Sequence, residues 1–154
     1  MEFEQVDDGL VSREVLPPLL GATELTIPAG DAKDMRAREA ALSEFRSAWA
    51  EIEPQVRRAL FAYYVATCEA ADESGPAIET EESVWANAAL FTASVPELLP
   101  EGRYVQVVGW CSWDEERGLE ICVRDGQAVL YVGPYVGNSH RNPRRGKPGN
   151  FAGT

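Results

Sequence analysis

An Asp-Gly pair, Asp125-Gly126, separates two runs of alternating apolar residues in the last third of the chain. Asp followed by Gly accepts the two positive φ angles of a type I′ turn, whose twist matches that of two paired strands. The pair therefore predicts a tight β-hairpin. We place the centre of the fold in residues 104–133, which have the sequence YVQVVGWCSWDEERGLEICVRDGQAVLYVG.

A two-residue turn also predicts the register of the hairpin, with Arg124 opposite Gln127 and Leu119 opposite Val132. Side chains alternate between the two faces of a strand, so this register gathers six apolar residues on one face: Leu119, Ile121, Val123, Ala128, Leu130 and Val132. The other face would carry Glu120, Cys122, Arg124, Gln127, Val129 and Tyr131. That mixed set predicts a half-solvated surface.

Residues 2–28 repeat the alternation in three short runs. Asp7-Asp8-Gly9 predicts a turn after the first run, and Pro17-Pro18 ends the second because proline cannot donate to a sheet ladder. The third run, 22–27, stops at Pro28. We expect a strand meander here.

After the meander the apolar period becomes that of a helix. One stripe consists of Met35, Leu42, Phe45, Trp49 and Ile52, with Asp31 or Asp34 as the N-cap. A second stripe consists of Val56, Leu60, Tyr63 and Thr67, and Pro54 suits the first turn of its helix. The pattern predicts two helices separated by a bend at 52–54, and one kinked helix is the alternative.

The connection to the hairpin region is predicted from turn residues and caps. Residues 72–82 are polar and contain Gly75-Pro76, which indicates a surface loop. Thr80 or Ser83 would then cap a short helix that runs through Val84, Trp85, Ala88, Ala89 and Leu90.

Together these elements predict one α+β domain at residues 1–135. Its antiparallel sheet combines the N-terminal meander with the C-terminal hairpin strands, and the two central helices pack on one face. Residues 136–154 are rich in Gly, Asn, Pro and Arg, so we expect a disordered basic tail. A tail that folds back onto the acidic body is the alternative.

The formal net charge of the chain is −11. Residues 134–154 contain four cations and no acids, so the part before them carries −15, four units more negative than the whole. Because nucleic-acid affinity depends on cationic contacts, this charge argues against nucleic acid and favours a protein partner with a basic surface. No apolar run approaches the roughly 18 residues of a membrane span, and Met1-Glu2-Phe3-Glu4 lacks the features of a signal peptide. We expect a cytoplasmic protein that does not contact the membrane.

Several catalytic classes lack their residues. His140 is the single histidine and lies in the predicted tail, so Ser-His-Asp and Cys-His schemes have no positioned base. The sequence contains no Walker-type phosphate loop, no G-x-G-x-x-G and no H-E-x-x-H. Cys68, Cys111 and Cys122 lack the spacing of metal ligands. We expect them to pack as small apolar side chains. We therefore expect no enzyme, no cofactor and no metal, and leave carboxylate-only catalysis open.

Residues 113–118, WDEERG, form a conspicuous cluster that we call the acidic turn. As a structural turn, it would use Asp114 to accept backbone N–H bonds two or three residues further on and Gly118 in the left-handed conformation. As a functional site, it would bind a basic partner, with a tryptophan as aromatic anchor. The residues of that site would be Trp110, Trp113, Asp114, Glu115 and Glu116. A divalent cation is the weaker alternative, since the spacing lacks the ligand pattern of a calcium loop.

Four motifs together resemble a widespread bacterial domain family of unknown function. They are WDEERGLEI at 113–121, LLGATELTIP at 19–28, the A-L-x-x-F helix at 41–45 and RALFAYY at 58–64. Such domains are similar to small acidic proteins encoded near polymorphic toxins, and some of them are suspected immunity proteins. The resemblance therefore implies a small acidic protein that neutralises a cognate toxin. The chain departs from the pattern at Arg117, where the family has His, and at Glu120, where it has Gly. These departures favour a structural role for the turn.

The sequence thus predicts a non-enzymatic, acidic protein-binding domain, and the resemblance narrows that role to an immunity protein. Two other classes stay open. One is a carboxylate-based metal-binding or hydrolytic domain, and the other is a structural or phage-related accessory domain.

Overall fold

The computed structural model describes residues 1–71, 78–143 and 148–154. Seven strands form one sheet in sequence order. The strands are β1 Glu4–Val6, β2 Gly9–Val15, β3 Ala22–Pro28, β4 Ala88–Ser94, β5 Tyr104–Cys111, β6 Leu119–Arg124 and β7 Ala128–Gly133. Helix α1, Ala32–Ala71, follows β3, and a 3₁₀ helix, Glu81–Asn87, precedes β4. The predicted α+β class is confirmed.

Neighbouring strands pair antiparallel except at one joint, where β3 and β4 run parallel. At this joint Leu25 lies opposite Ala93. A parallel pair needs a long crossover connection, and α1 lies within it. The predicted meander of β1, β2 and β3 is confirmed, and its neighbour in the sheet is β4.

Helix α1 runs without a break through Pro54, so the two predicted stripes lie on one helix, which is the alternative that the sequence left open. Proline removes an intrahelical N–H donor and crowds the preceding turn, which is why the sequence favours a bend. Ile52 and Val56, on either side of the proline, are both buried, and this packing holds the helix through it. In the described part of the chain, no helix is long and apolar enough to cross a membrane.

The predicted short helix through Leu90 is wrong at residues 88–90. A 3₁₀ helix forms earlier and ends at Asn87, and Ala88 begins β4. Alanine favours helices by intrinsic propensity, but residues 88–90 pair with β5, and this pairing outweighs propensity. Of the predicted loop, residues 72–77 with Gly75-Pro76 lie outside the described residues.

The Asp125-Gly126 turn is confirmed. Asp125 has a φ of +53° and Gly126 a φ of +63°. Gln127 N donates to Arg124 O at 3.0 Å and closes the turn. The Asp125 carboxylate also accepts from Arg103 N at 2.9 Å, which ties the hairpin to the residues just before β5.

The predicted register of the hairpin is wrong by one residue next to the turn, where Arg124 pairs with Ala128, and a bulge adds a further shift along the strands. A one-residue shift moves side chains to the opposite face. Val129 therefore joins the core beneath α1, while Leu130 lies on the other face. The other predicted members of that core, apart from Ala128, are confirmed: Leu119, Ile121, Val123 and Val132.

Helix α1 packs on one surface of the sheet, which we call the helix face. Its core is apolar and contains the fully buried aromatic residues Phe45, Trp49 and Tyr63. The opposite surface, which we call the second face, holds a smaller cluster at β5 to β7. That cluster consists of Tyr104, Cys122, Leu130 and Tyr131.

Candidate partner-binding surface

The acidic turn connects β5 to β6. Gly118 has a φ of +70°, which glycine adopts without a side-chain clash, and this part of the structural interpretation is confirmed. The predicted backbone bonds to the Asp114 carboxylate are wrong. The carboxylate instead accepts from the Tyr63 hydroxyl at 2.7 Å and pairs with the Arg117 guanidinium at 2.7 Å. The turn is therefore tied to α1.

Burial and hydrogen bonding determine the protonation of the groups around Asp114. Desolvation, together with the bond to Asp114, raises the pKa of Tyr63 far above its usual range. Burial raises the pKa of the Cys111 thiol to about 11, and the bond to Asp114 raises the pKa of Arg117. At neutral pH Tyr63 is therefore a neutral donor, and Cys111 is a thiol rather than a nucleophilic thiolate.

Trp113 is a core residue. Its ring packs edge-on against Tyr63 and Tyr64, with centroid distances of 5.6 Å and 5.8 Å, and 8% of the residue is exposed. A partner cannot use a buried ring as a surface anchor. Trp113 is the first residue of the acidic turn, and its packing holds the turn against α1.

Glu115 and Glu116 are exposed in the acidic turn, and neither forms an ion pair within the described part of the chain. Trp110 is half-buried near the end of β5. Because its neighbour Cys111 lies in the helix-face core, Trp110 lies on the second face. The predicted site therefore separates into two residues that fasten the turn, Trp113 and Asp114, and three at the surface.

Arginines of the described chain are largely engaged with acids. Eight of them form ion pairs: Arg13, Arg46, Arg57, Arg58, Arg103, Arg117, Arg124 and Arg141. Other acids of the described chain face solvent without forming an ion pair, and Glu115 and Glu116 are among them. This arrangement leaves the surface attractive to a basic molecule.

Glu120 on β6 is the residue that sequence reasoning missed. Its side chain is completely buried. Its carboxylate accepts from Val136 N at 2.9 Å, from Gly137 N at 2.6 Å, and from both the N–H and the hydroxyl of Ser139. These four donors replace water around the charge. The signal in the sequence is a Glu within an apolar strand. Its donors come from further along the chain, around Gly137-Asn138-Ser139, where no strand or helix is predicted to use the backbone N–H groups.

The predicted half-solvated surface at β6 is therefore wrong, because residues 136–143 fold back over it. Arg141 Nε donates to Glu97 at 2.8 Å, and the His140 ring lies 3.1 Å from the same carboxylate oxygen. These two bonds lower the pKa of Glu97. The described residues take the folded-back alternative, and a domain boundary at 135 stays a prediction. The other tail cations, Arg144, Arg145 and Lys147, lie outside the described residues.

The fold and this surface define a class: an α+β domain with a helix on one face of a mixed sheet, a buried carboxylate on the other, and an exposed acidic turn. The chain belongs to the family described as domain of unknown function DUF6985, whose model matches residues 2–139. No curated protein and no solved structure matches the chain. The family match includes Glu120 and the residues that donate to it.

Proposed function

We propose that this domain binds a protein with a basic surface, and that Trp110, Glu115 and Glu116, which we call the acidic patch, make the contact. The observation that carries the proposal is which charged side chains are paired with each other and which are not. Eight arginines of the described chain form ion pairs with its own acids, whereas Glu115 and Glu116 are exposed and unpaired within the described residues. Carboxylates with an aromatic ring supply electrostatic steering and an apolar contact.

The acidic patch also has a rigid support. Asp114 is held by the Tyr63 hydroxyl and by Arg117, and Trp113 packs against two tyrosines of α1. A partner would therefore meet carboxylates whose backbone is already ordered, and binding would lose less conformational entropy than a mobile loop would.

For the biological role, we propose an immunity protein that neutralises a cognate bacterial toxin in the cytoplasm by covering a basic surface. The support is the resemblance of the four motifs to a domain family in which some members are suspected immunity proteins, together with the excess of acids in residues 1–133.

A carboxylate-based metal or hydrolytic site is less well supported. Asp114, the first acid of the turn, is engaged by Tyr63 and Arg117. Among the described residues, no three His, Cys, Asp or Glu side chains are grouped so that they would hold a metal ion. Two adjacent exposed carboxylates suit a basic protein surface better.

The test is co-expression with the product of the adjacent reading frame, which the resemblance makes the first partner to try. We expect a complex on size-exclusion chromatography, protection of the cells, and an affinity that falls as salt is raised. Glu115→Gln combined with Glu116→Gln should weaken the complex at least about tenfold. The matched control, Glu2→Gln with Glu4→Gln, makes the same charge change at the start of the edge strand β1, four strands away from β5, and should leave the affinity unchanged.

The outcomes separate the parts of the proposal. Absence of both complex and protection would refute it. A complex that is insensitive to salt and to the acidic-patch variant would refute the electrostatic contact, and a complex without protection would refute the immunity role.

A further inference from the structure

The C-terminal residues 148–154 lie along the edge of β7. Phe151 N donates to Val132 O at 2.8 Å. The Asn150 side chain accepts from Val132 N at 3.3 Å and donates to Leu130 O at 2.9 Å. Unpaired N–H and C=O groups at a sheet edge are a template for another extended chain, and here a short peptide segment fills that template.

Asn150 contacts the edge as a peptide group of an added strand would. A carboxamide carries an acceptor and a donor in one plane, so one side chain satisfies both Val132 and Leu130. Asp at this position would lack the donor for the Leu130 carbonyl. The recognition therefore depends on the identity of the side chain as well as on the backbone.

Phe151 anchors the segment. Its ring stacks on Tyr63 at a centroid distance of 5.2 Å with 13° between the planes, and it packs with Ala152 against the helix-face core. Gly133 makes room for the segment, because a Cβ there would lie 2.0 Å from the Gly149 carbonyl oxygen. Edge pairing combined with a seated side chain is how strand-adding sites bind extended peptides.

The site and its occupant belong to different parts of the chain. Tyr63 and the whole of β7 lie within the family match, 2–139, whereas residues 148–154 lie beyond it. The domain that the family model describes thus supplies the site, and a segment outside that domain supplies the ligand.

We propose that the β7 edge and the Tyr63 ring form a binding site for an extended Asn-Phe-Ala segment, filled in cis by the chain's own C-terminus and able to take the same segment from a second copy. The cis contacts define its specificity: a carboxamide at the first position and an aromatic ring at the second. Because the cis segment is tethered, its effective concentration is on the order of millimolar. A free segment therefore binds better to a chain whose own segment is impaired.

The probe is a fluorescent peptide with the sequence of residues 148–154, titrated with full-length chain by anisotropy. Phe151→Ala in the chain weakens the cis segment and leaves the site intact, so we expect peptide affinity at least about tenfold above that of wild type. A peptide with Asn150→Asp, which loses the amide donor at nearly constant shape, should not bind. A second control peptide with Phe151→Ala, which adds no charge, should also not bind. Adding Gly133→Ala to the chain should block the site by occupying the space of the Gly149 carbonyl.

The second-copy occupant has its own experiment. A tagged Phe151→Ala chain should capture an untagged Gly133→Ala chain, whose own site is blocked and whose segment is therefore free. It should not capture the same untagged chain with Asn150→Asp added. Peptide binding without this capture would overturn the second copy as occupant. A peptide that binds neither wild type nor the Phe151→Ala chain, both with native circular dichroism, would overturn the site. If Phe151→Ala does not fold, Asn150→Ala provides the same comparison.

Discussion

The two faces of the sheet are stabilised in different ways. On the helix face, large apolar side chains such as Phe45 and Trp49 are buried by α1 and the strands. On the second face, Glu120 is equally buried, and donors from residues 136–139 take the place of water. The first arrangement requires an apolar period, whereas the second requires a distant segment to aim its N–H groups at one carboxylate. One sheet can thus be specified by local pattern on one face and by a long-range match on the other.

Truncation of the helix-face core should give the largest effect. Trp49→Ala removes a ring that is 1% exposed, and the bond from its Nε1 to Pro17 O at 2.7 Å. It should lower the free energy of unfolding by about 3–5 kcal/mol, measured by urea denaturation. Phe91→Ala, at a residue that is 54% exposed, is the control and should change stability by less than about 0.5 kcal/mol. Similar losses in the two variants would contradict the burial on this face.

Glu120→Gln should have the next largest effect, and it tests the second face directly. The amide turns an NH₂ group toward N–H donors, so part of the four-bond arrangement is lost. We expect the free energy of unfolding to fall by about 2–3 kcal/mol. Glu39→Gln, the same change at an exposed position of α1, should alter it by less than about 0.5 kcal/mol. If Glu120→Gln were as stable as wild type, the contrast between the two faces would disappear.

The bond between Tyr63 and Asp114 should contribute about 1 kcal/mol, because it joins one hydroxyl to one carboxylate at a half-buried position. A double-mutant cycle with Tyr63→Phe and Asp114→Ala isolates it. The loss in the double variant should be smaller than the sum of the single losses by about that amount. Additive losses would show that the bond between Tyr63 and Asp114 does not stabilise the acidic turn.

The smallest effect is expected at Glu97, where the segment over the second face is held by exposed bonds. Arg141 and His140 lower the pKa of Glu97, so the folded state favours its charged form. That stabilisation is present above about pH 4.3, the ordinary pKa of Glu, and is lost as the pH falls through the lowered pKa of the folded state.

Glu97→Gln should therefore unfold at a slightly lower temperature than wild type at pH 7 and at the same temperature in strong acid. Glu39→Gln is the control and should match wild type at both pH values. A difference between Glu97→Gln and wild type that did not change with pH would show that the carboxylate charge plays no part.

Sequence patterns predict the elements whose own residues determine their structure. Asp125-Gly126 requires a turn with positive φ, and the stripes on either side of Pro54 require a helix. The register beside that turn and the start of β4 at Ala88 depend on backbone partners from other strands. Neither apolar period nor propensity contains that information.

The candidate site divides in the same way. The exposure of Glu115 and Glu116 follows from their charge, and the conformation of Gly118 follows from its missing side chain. Trp113 has the sequence context of a surface anchor, but aromatic residues of α1 bury it. The burial of Glu120 depends likewise on a segment that reaches it only in the folded chain.

The parallel joint between β3 and β4 has a consequence for the kinetics of folding. Other strand pairs connect neighbours across short links, which close rapidly. The β3–β4 pair must close a loop that contains all of α1, and the chain loses that entropy before any contact across the joint forms. The N-terminal and C-terminal strand groups would therefore assemble separately, and the rate of refolding would depend on the docking of α1 between them.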